Sequence, residues 1–244
     1  MNNITTSAPV YVQIAQSLRH RITSGELKPG DRLPAERNLS QHLGVTRRTL
    51  RHALQVLESE GLIVRRHGVG SFVSEPKIER RAERLSSFTT VMTRRGLHPG
   101  ARIITCEQQP AHAEIAHQLD ILVSTPVTYV RRLRLLNREP MMIEEVWMAV
   151  RRFPGLEQHD LEGRSLYEIM ETEYGVAMAR ARRTLEPVAA TKEEAQLLGT
   201  RVGAPLMLER RLGYSQDGEP VEYGKDRYRG DRFRFTAEDV RWVP

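Results

Sequence analysis

Residues 33–73 read LPAERNLSQHLGVTRRTLRHALQVLESEGLIVRRHGVGSFV, and this stretch predicts two helices joined by a turn and followed by a hairpin. Pro34 and Glu36 are typical of the start of a helix, and Gly44 is typical of its end. Thr46 can cap the next helix. In that helix, apolar residues recur at the spacing of a buried stripe: Leu50, Ala53, Leu54 and Leu57.

The polar face of the second helix concentrates positive charge. Its first two turns contain Arg47, Arg48, Arg51 and His52, at the end of a recognition helix that reaches base edges in the DNA major groove. Residues 62–66 and 71–73 predict two strands around a glycine-containing turn. Arg65 lies at the base of this wing, where we expect a phosphate contact. The plainer alternative is a solvated basic face on a small helical domain.

Through these motifs the chain resembles the GntR superfamily of winged helix-turn-helix regulators. The motifs are LPAER at 33–37, VTRRTLR at 45–51, LESEGLI at 57–63 and HGVG at 67–70. The resemblance implies a sequence-specific transcription regulator that binds double-stranded operator DNA as a homodimer. It implies DNA contacts from the two helices and the wing tip: Arg37, Thr46, Arg47, Arg48, Thr49, Arg51, His67 and Gly68.

Length and composition narrow the class of protein. The chain has 244 residues, of which 39% are hydrophobic, enough for two packed domains. No apolar run approaches the roughly 20 residues of a membrane span, and no signal-peptide pattern opens the chain, so we expect a cytoplasmic protein with no membrane partner. The single Cys106 and the spacing of the eight histidines favour neither a disulfide nor a metal site, and we expect no cofactor.

The positive charge is concentrated in the first part of the chain. Residues 1–74 contain 10 Lys and Arg against 5 Asp and Glu, a balance of +5, which leaves +1 of the total +6 for the rest. A polyanion is therefore a partner of residues 1–74. We expect a DNA-binding domain over 1–74, a charged linker over 75–84 and a second domain over 85–244. The linker is either a passive connector or a segment whose order changes on signalling.

The second domain contains an internal repeat. At an offset of 79 residues, 114–136 and 193–215 share eight identities in 23 positions. Each copy reads as a short helix, a strand and a hairpin turn, at Asn137-Arg138 in the first copy and Asp217-Gly218 in the second. Between the copies, the sequence SLYE at 165–168 predicts a capped helix. The pattern indicates an antiparallel sheet flanked by helices, so the whole chain is of the α+β class.

This region also resembles the UTRA effector-binding domain of HutC-type GntR regulators. The resemblance covers 129–145, 153–156, 165–168, 195–205 and 217–232. It implies the chorismate-lyase-like fold of that domain. It also implies binding of a small molecule, such as a phosphorylated sugar, an amino sugar or a carboxylate, that alters the grip of the dimer on DNA. The first hairpin departs from the family, because Asn137-Arg138 stands where Asp-Gly is usual.

We predict an anion-binding site in this domain. Arg132 and Arg134 are two residues apart on a strand, so both guanidinium groups point to one face and suit a phosphate or carboxylate. The other predicted effector-binding residues are Glu144, Ser165, Tyr167, Glu222 and Tyr228, the last two from the resemblance alone. Each of them has a purely structural alternative, such as capping, ion pairing or packing. Because Gly213 replaces Arg134 in the second copy, we expect the cationic clamp on one side only.

We therefore predict an effector-controlled transcription regulator, acting as a repressor. Two other classes of function are weighed against it. An enzyme with lyase-like chemistry on a small acid would fit the fold, but the sequence shows no nucleophile with its base and no phosphate loop. A purely architectural DNA-binding protein would leave the polar groups of the second domain without a purpose.

Overall fold

The structure, a computed structural model, describes residues 8–66, 69–81 and 86–237, without the side chain of Arg66. The chain divides into two compact units, of which the first ends at Lys77 and the second begins at Ile78. No helix in the described ranges is long and apolar enough to cross a membrane.

The first unit is a three-helix domain with a wing. Its helices are α1 (Val10–Thr23), α2 (Glu36–His42) and α3 (Arg47–Ser59), and the wing strands are β1 (Ile63–Arg66) and β2 (Gly70–Val73). The predicted stripe of α3 is buried against α1 and α2. Thr46 caps α3 as predicted, because its hydroxyl accepts a hydrogen bond from the backbone N–H of Thr49. The first helix of the motif begins at Glu36, two residues later than Pro34 suggested, with Ala35 as its N-cap.

The second unit is built around a six-stranded antiparallel sheet of order β4-β5-β6-β9-β8-β7. The strands are β4 (Pro99–Pro110), β5 (Pro126–Leu136), β6 (Glu139–Ala149), β7 (Met178–Ala189), β8 (Pro205–Ser215) and β9 (Pro220–Arg229). Helix α5 (Ala113–Leu119) lies between β4 and β5 in the chain, and α7 (Lys192–Leu198) lies between β7 and β8. Each half is thus a strand, a helix and a hairpin, which confirms the predicted repeat.

Alternation along the central strands sends side chains to two differently covered faces. On β5, Val127 and Leu133 pack towards α5 and α7. Val130 and Leu136 pack on the other face, with α6 (Leu166–Tyr174) and α4 (Phe88–Arg94) respectively. Arg132 and Arg134 share the second face by the same alternation. A charged pair therefore lies beneath α4 and α6, where a core residue would be apolar.

The two hairpin turns that connect the central strands use left-handed backbone conformations. Asn137 and Arg138 have φ of 50° and 69°, and Gly218 has φ of 82°. Two consecutive positive φ values are those of a type I′ turn, the turn whose twist matches a hairpin. The departure from Asp-Gly at 137–138 therefore leaves the hairpin intact.

Part of the expected linker is a strand. Residues Ile78–Arg81 form β3, which pairs in parallel with β10 (Phe233–Thr236), more than 150 residues away. Sequence periodicity could not reveal it, because a four-residue strand in a charged context has no local signature. The segment from Ile78 to Arg81 is consequently part of the second unit.

Candidate functional site

Three arginines predicted to contact DNA lie exposed on the first unit. They are Arg47 and Arg48 in the first turn of α3 and Arg37 in the first turn of α2. Their guanidinium groups form no ion pair or hydrogen bond with the described residues. The first turn of α3 contains no acid, so Arg47 and Arg48 stand unfavourably at the positive end of the helix dipole. An anionic partner would reverse that penalty.

Thr46 and Thr49 are engaged with each other. The Thr46 hydroxyl accepts from Thr49 N at 3.1 Å, and the two hydroxyl oxygens are hydrogen bonded at 2.9 Å. The structure thus gives both residues a role in fixing the start of α3, and their contact with DNA stays a prediction. His67 and Gly68, predicted at the wing tip, lie outside the described residues.

Arg51 and Arg65 share an acid. Arg51 donates to Glu36 Oε2 at 3.4 Å with a side chain that is 58% exposed, a weak pair that DNA can displace. Arg65 is more firmly held, because its Nη2 donates to the backbone oxygen of Arg51 at 3.2 Å and its Nε lies 3.5 Å from Glu58. Arg65 therefore braces the wing against α3, and its phosphate contact stays a prediction.

In the second unit, all seven predicted effector-binding residues line one cavity beneath α4 and α6: Arg132, Arg134, Glu144, Ser165, Tyr167, Glu222 and Tyr228. The unfilled space among these residues is about 360 Å³ when the open solvent at the mouth is counted, and the volume open to the centre of a water molecule is about 20 Å³. Its floor is the centre of the sheet, where β5 pairs with β6 and β6 with β9. The structure brings together residues from two distant segments of the chain.

Arg132 and Arg134 are buried in the floor and share Glu144. Arg132 is fully buried, and its Nε donates to Glu144 Oε2 at 2.8 Å while its Nη1 donates to the backbone oxygen of Leu161. Arg134 Nη1 lies 3.3 Å from the same Oε2, and its Nη2 donates to Thr89. Two guanidinium groups thus face one carboxylate.

The pKa of Glu144 reflects the two guanidinium groups around its carboxylate. Burial alone would raise it, but the charges of Arg132 and Arg134 outweigh burial and lower the pKa from 4.5 to about 2. Glu144 is therefore ionised at every physiological pH. Because one carboxylate neutralises one of two cations, the floor retains positive charge that suits an anion.

The second copy of the repeat also contributes a cation. Arg211 is buried, with Nε 2.7 Å from Glu222 Oε1 and Nη1 2.7 Å from Asp226 Oδ2. The second copy thus places one guanidinium group on the same sheet face, paired with two acids, and the clamp on one side only stays a prediction. Gly213 makes this placement possible: a Cβ there would meet Met178 and come within 2.8 Å of Glu222 Cγ.

Asp226 is the most perturbed acid of the cavity. Burial, helped by the charges of Glu144 and Glu209, raises its pKa from 3.8 to about 7 against the opposing effect of Arg211. Its Oδ1 is buried with no hydrogen-bond partner among the described residues, and the same holds for Glu222 Oε2. These acceptors are free for the hydroxyl or amino groups of a ligand.

Ser165 lies at the start of α6 without capping it. It is the N-cap residue of α6, yet its side chain makes no capping hydrogen bond, which contradicts the predicted capping box. Tyr167, in the first turn of α6, donates its hydroxyl proton to Glu222 Oε1 at 2.7 Å. A hydroxyl and free backbone N–H groups at the start of this helix are a natural anion site.

Sequence reasoning missed five further polar residues that line the cavity: Arg80, Ser86, Ser87, Arg211 and Asp226. Ser87 caps α4 and Arg80 lies on the unexpected strand β3. The arginine at 211 was visible in the repeat, where it aligns with Arg132. The alignment of Arg211 with Arg132 was the one signal that could have identified it.

Comparison with known proteins matches both units to described families. Residues 10–73 match "Bacterial regulatory proteins, gntR family", and residues 94–234 match the UTRA domain. The resemblance inferred from the motifs and the predicted α+β architecture are thereby confirmed.

Full-length relatives have the same organisation. The transcriptional repressor NagR of Bacillus subtilis is 38% identical over 234 residues, covering 96% of both chains. The mannosyl-D-glycerate transport/metabolism system repressor MngR of Escherichia coli is 32% identical over 228 residues, covering 93% of this chain and 95% of MngR. The crystal structure of PhnF from Mycobacterium smegmatis superposes with a TM-score of 0.66 at 29% identity, over 95% of this chain and 99% of PhnF.

Proposed function

The chain belongs to the gntR family of bacterial regulatory proteins and is a DNA-binding transcription regulator with a UTRA domain, and we propose that it is a repressor controlled by a small anionic metabolite. The metabolite binds in the cavity of the second unit and changes the affinity of the first unit for operator DNA. Since it acts on DNA, the protein works in the cytoplasm.

The exposed cations of α3 support operator binding. Arg47, Arg48 and Arg51 lie within the first two turns of a capped recognition helix, where side chains reach base edges. One winged domain buries too little surface for operator affinity. We therefore propose a homodimer that binds two half-sites related by a two-fold axis.

The observation that carries the effector proposal is the pairing of Arg132 and Arg134 with the single carboxylate of Glu144. The excess positive charge is buried, so it cannot be relieved by solvent ions as easily as a surface charge. A phosphate or carboxylate accepts several charge-assisted hydrogen bonds from such forks. The free Ser165 hydroxyl adds a donor on the opposite wall of the cavity.

The remaining polar atoms favour a sugar-like body on the anion. Glu222 Oε2 and Asp226 Oδ1 have no hydrogen-bond partner in the part of the chain that the structure describes, so they suit hydroxyl or amino groups. MngR is named for the metabolism of a sugar derivative. We propose a phosphorylated sugar or amino sugar as the effector, with a sugar-like carboxylate as the alternative.

An enzymatic role does not fit. The relatives of this chain are named as transcriptional repressors, and the family is one of regulators. An architectural role also fails to explain the charged cavity of the second unit.

The DNA-binding part is tested by selecting bound duplexes from a random library and measuring anisotropy at several salt concentrations. We expect a roughly palindromic consensus and an affinity that falls steeply with salt, because phosphate contacts release counterions. A single asymmetric half-site, or binding that does not change between low and moderate salt, would contradict the proposal.

The effector part is tested by thermal shift of the full chain with a panel of sugar phosphates, amino-sugar phosphates and sugar acids, each paired with its neutral parent. A compound that binds the native state raises the melting temperature by mass action. We expect a shift with an anionic member and none with its parent, and the same compound should alter operator affinity. Equal shifts with charged and neutral members would refute the anionic class.

A further inference from the structure

Arg80 is a buried arginine that the motifs did not indicate. It lies on β3, which begins at Ile78, directly after the last residue of the DNA-binding unit. Its residue surface is only 7% exposed, and its side chain lines the same cavity as Arg132, Arg134 and Ser165.

The guanidinium group of Arg80 has unused binding capacity. Its Nη1 is buried and makes no hydrogen bond with the described residues. Its carbon Cζ lies 5.0 Å from the centre of the Tyr228 ring, a cation–π contact that orients the group without using its N–H donors. A buried N–H without a partner costs free energy that a ligand acceptor would recover.

Arg80 has no ion-pair partner on the cavity wall among the described residues. Four guanidinium groups and three carboxylates line the cavity, a balance of +1. Glu144 is shared by Arg132 and Arg134, and Glu222 and Asp226 both pair with Arg211. Burial lowers the pKa of Arg80, but the charges of Tyr228, Glu209 and Asp226 outweigh burial and raise it, so these groups favour the cation without a direct ion pair. An anionic ligand would add a direct partner.

We propose that Arg80 is an effector-contacting residue whose guanidinium group binds the anionic group of the metabolite together with Arg132 and Arg134. This inference rests on the proposed function of the cavity and adds a residue to it. Because Arg80 belongs to β3, a ligand bound in the cavity stabilises the strand that leads to the DNA-binding unit.

Strand β3 is four residues long and, within the described residues, pairs with β10 alone, in a register that sets Arg80 opposite Phe235. Side-chain contacts to Glu79 supplement this pairing, because Arg95 donates to its backbone oxygen and Arg234 and Thr236 donate to its carboxylate. The amide of Ile78 donates to the backbone oxygen of Arg232 at 2.7 Å. A two-stranded ribbon of this size is marginal by itself, so an added charge-assisted bond at Arg80 changes its stability appreciably.

The test compares Arg80→Gln, Arg80→Lys and Arg81→Gln in the full chain. Arg81 is the matched control, because it is the next residue of β3 and is exposed outside the cavity. Arg80→Gln leaves no ion-pair partner unpaired, so this variant should fold. If Arg80→Gln does not fold, Arg80→Lys provides a variant that keeps the positive charge. Calorimetry uses glucosamine 6-phosphate, glucose 6-phosphate, gluconate and inorganic phosphate, with glucosamine and glucose as neutral probes.

We expect Arg80→Gln to weaken binding of the anionic probe that wild type binds by roughly 10- to 100-fold. Arg80→Lys should recover part of the loss, and Arg81→Gln should match wild type. Hydrogen exchange gives a second readout: the probe at saturation should slow exchange of the β3 amides in wild type and not in Arg80→Gln.

The outcomes separate the two proposals. Unchanged affinity and unchanged β3 protection in Arg80→Gln, with a probe that wild type binds, would overturn the role of Arg80 and leave the function of the cavity standing. If wild type binds neutral probes as tightly as anionic ones, the proposed function fails, and the role of Arg80 falls with it.

Discussion

Replacing Glu144 by Gln should leave Arg132 and Arg134, which now share one carboxylate, as a pair of uncompensated cations. The substitution keeps the size of the side chain and removes only its charge. Arg132 would retain its bond to the backbone oxygen of Leu161, and Arg134 would retain Thr89. Both guanidinium groups would remain buried without the carboxylate that now accepts from them.

Two estimates of the stability lost in Glu144→Gln agree. Removing one partner of a buried ion pair typically costs about 3 to 5 kcal/mol, because a buried charge is left unpaired. The fall of the Glu144 pKa from 4.5 to about 2 corresponds to about 3 kcal/mol at 1.36 kcal/mol per pKa unit. For a domain of this size we expect the melting temperature to fall by roughly 6 to 20 °C.

The free energy of unfolding should also depend on pH through Glu144. Since the folded pKa of Glu144 is depressed, its stabilisation is fully present above pH 4.5 and is lost as pH falls towards about 2. Glu144→Gln should lack this component. Urea unfolding followed by circular dichroism at several pH values measures both the size of the loss and its pH dependence.

The control is Glu168→Gln, which breaks an ion pair at a similar distance. Glu168 lies 3.0 Å from Arg164, but its side chain is 51% exposed, so we expect a loss of about 1 kcal/mol or less. Phosphate or sulfate should stabilise Glu144→Gln more than wild type, because an anion replaces the missing charge. A loss in Glu144→Gln no larger than in the control, with no extra response to anions, would refute the ion-cluster argument.

Three further outcomes are expected. Arg47→Ala should weaken binding to the operator by about 1 to 3 kcal/mol and binding to random-sequence DNA by less. Fluorescence anisotropy with both duplexes measures the two losses, and equal losses would exclude a role of Arg47 in recognising the base sequence. Because the folded pKa of Asp226 is raised from 3.8 to about 7, the free energy of unfolding should decline as pH rises from about 4 through about 7, and a pH series should show this component missing from Asp226→Asn. Gly213→Ala should lower stability by about 1 to 3 kcal/mol, since the new Cβ meets Met178 and Glu222; thermal unfolding unchanged from wild type would contradict that packing.

Much of the architecture was open to sequence reasoning because it depends on local signals. The buried stripe of α3 follows from helical periodicity, and its start from the hydroxyl of Thr46. The internal repeat of 114–136 and 193–215 predicted that the sheet consists of two related halves. The separation of charge between residues 1–74 and the rest assigned DNA to the first unit.

The contacts of the predicted site were decided by long-range pairing, which no local pattern encodes. Arg132 meets Glu144 because β5 pairs with β6 in one register, and Glu144 meets Asp226 through the pairing of β6 with β9. A shift of one residue in either pairing would send these charges to the opposite face.

Tertiary structure also decided which cations are free. Arg65 and Arg47 look alike in the sequence, yet the fold brings Glu36 and Glu58 to Arg65 and leaves Arg47 exposed. Arg80 sits in a charged stretch typical of a linker, and only the pairing of β3 with a strand more than 150 residues away buries it in the cavity. The sequence determined which groups can bind anions, and the fold determined which of them have no other partner, because partnership depends on distance in space.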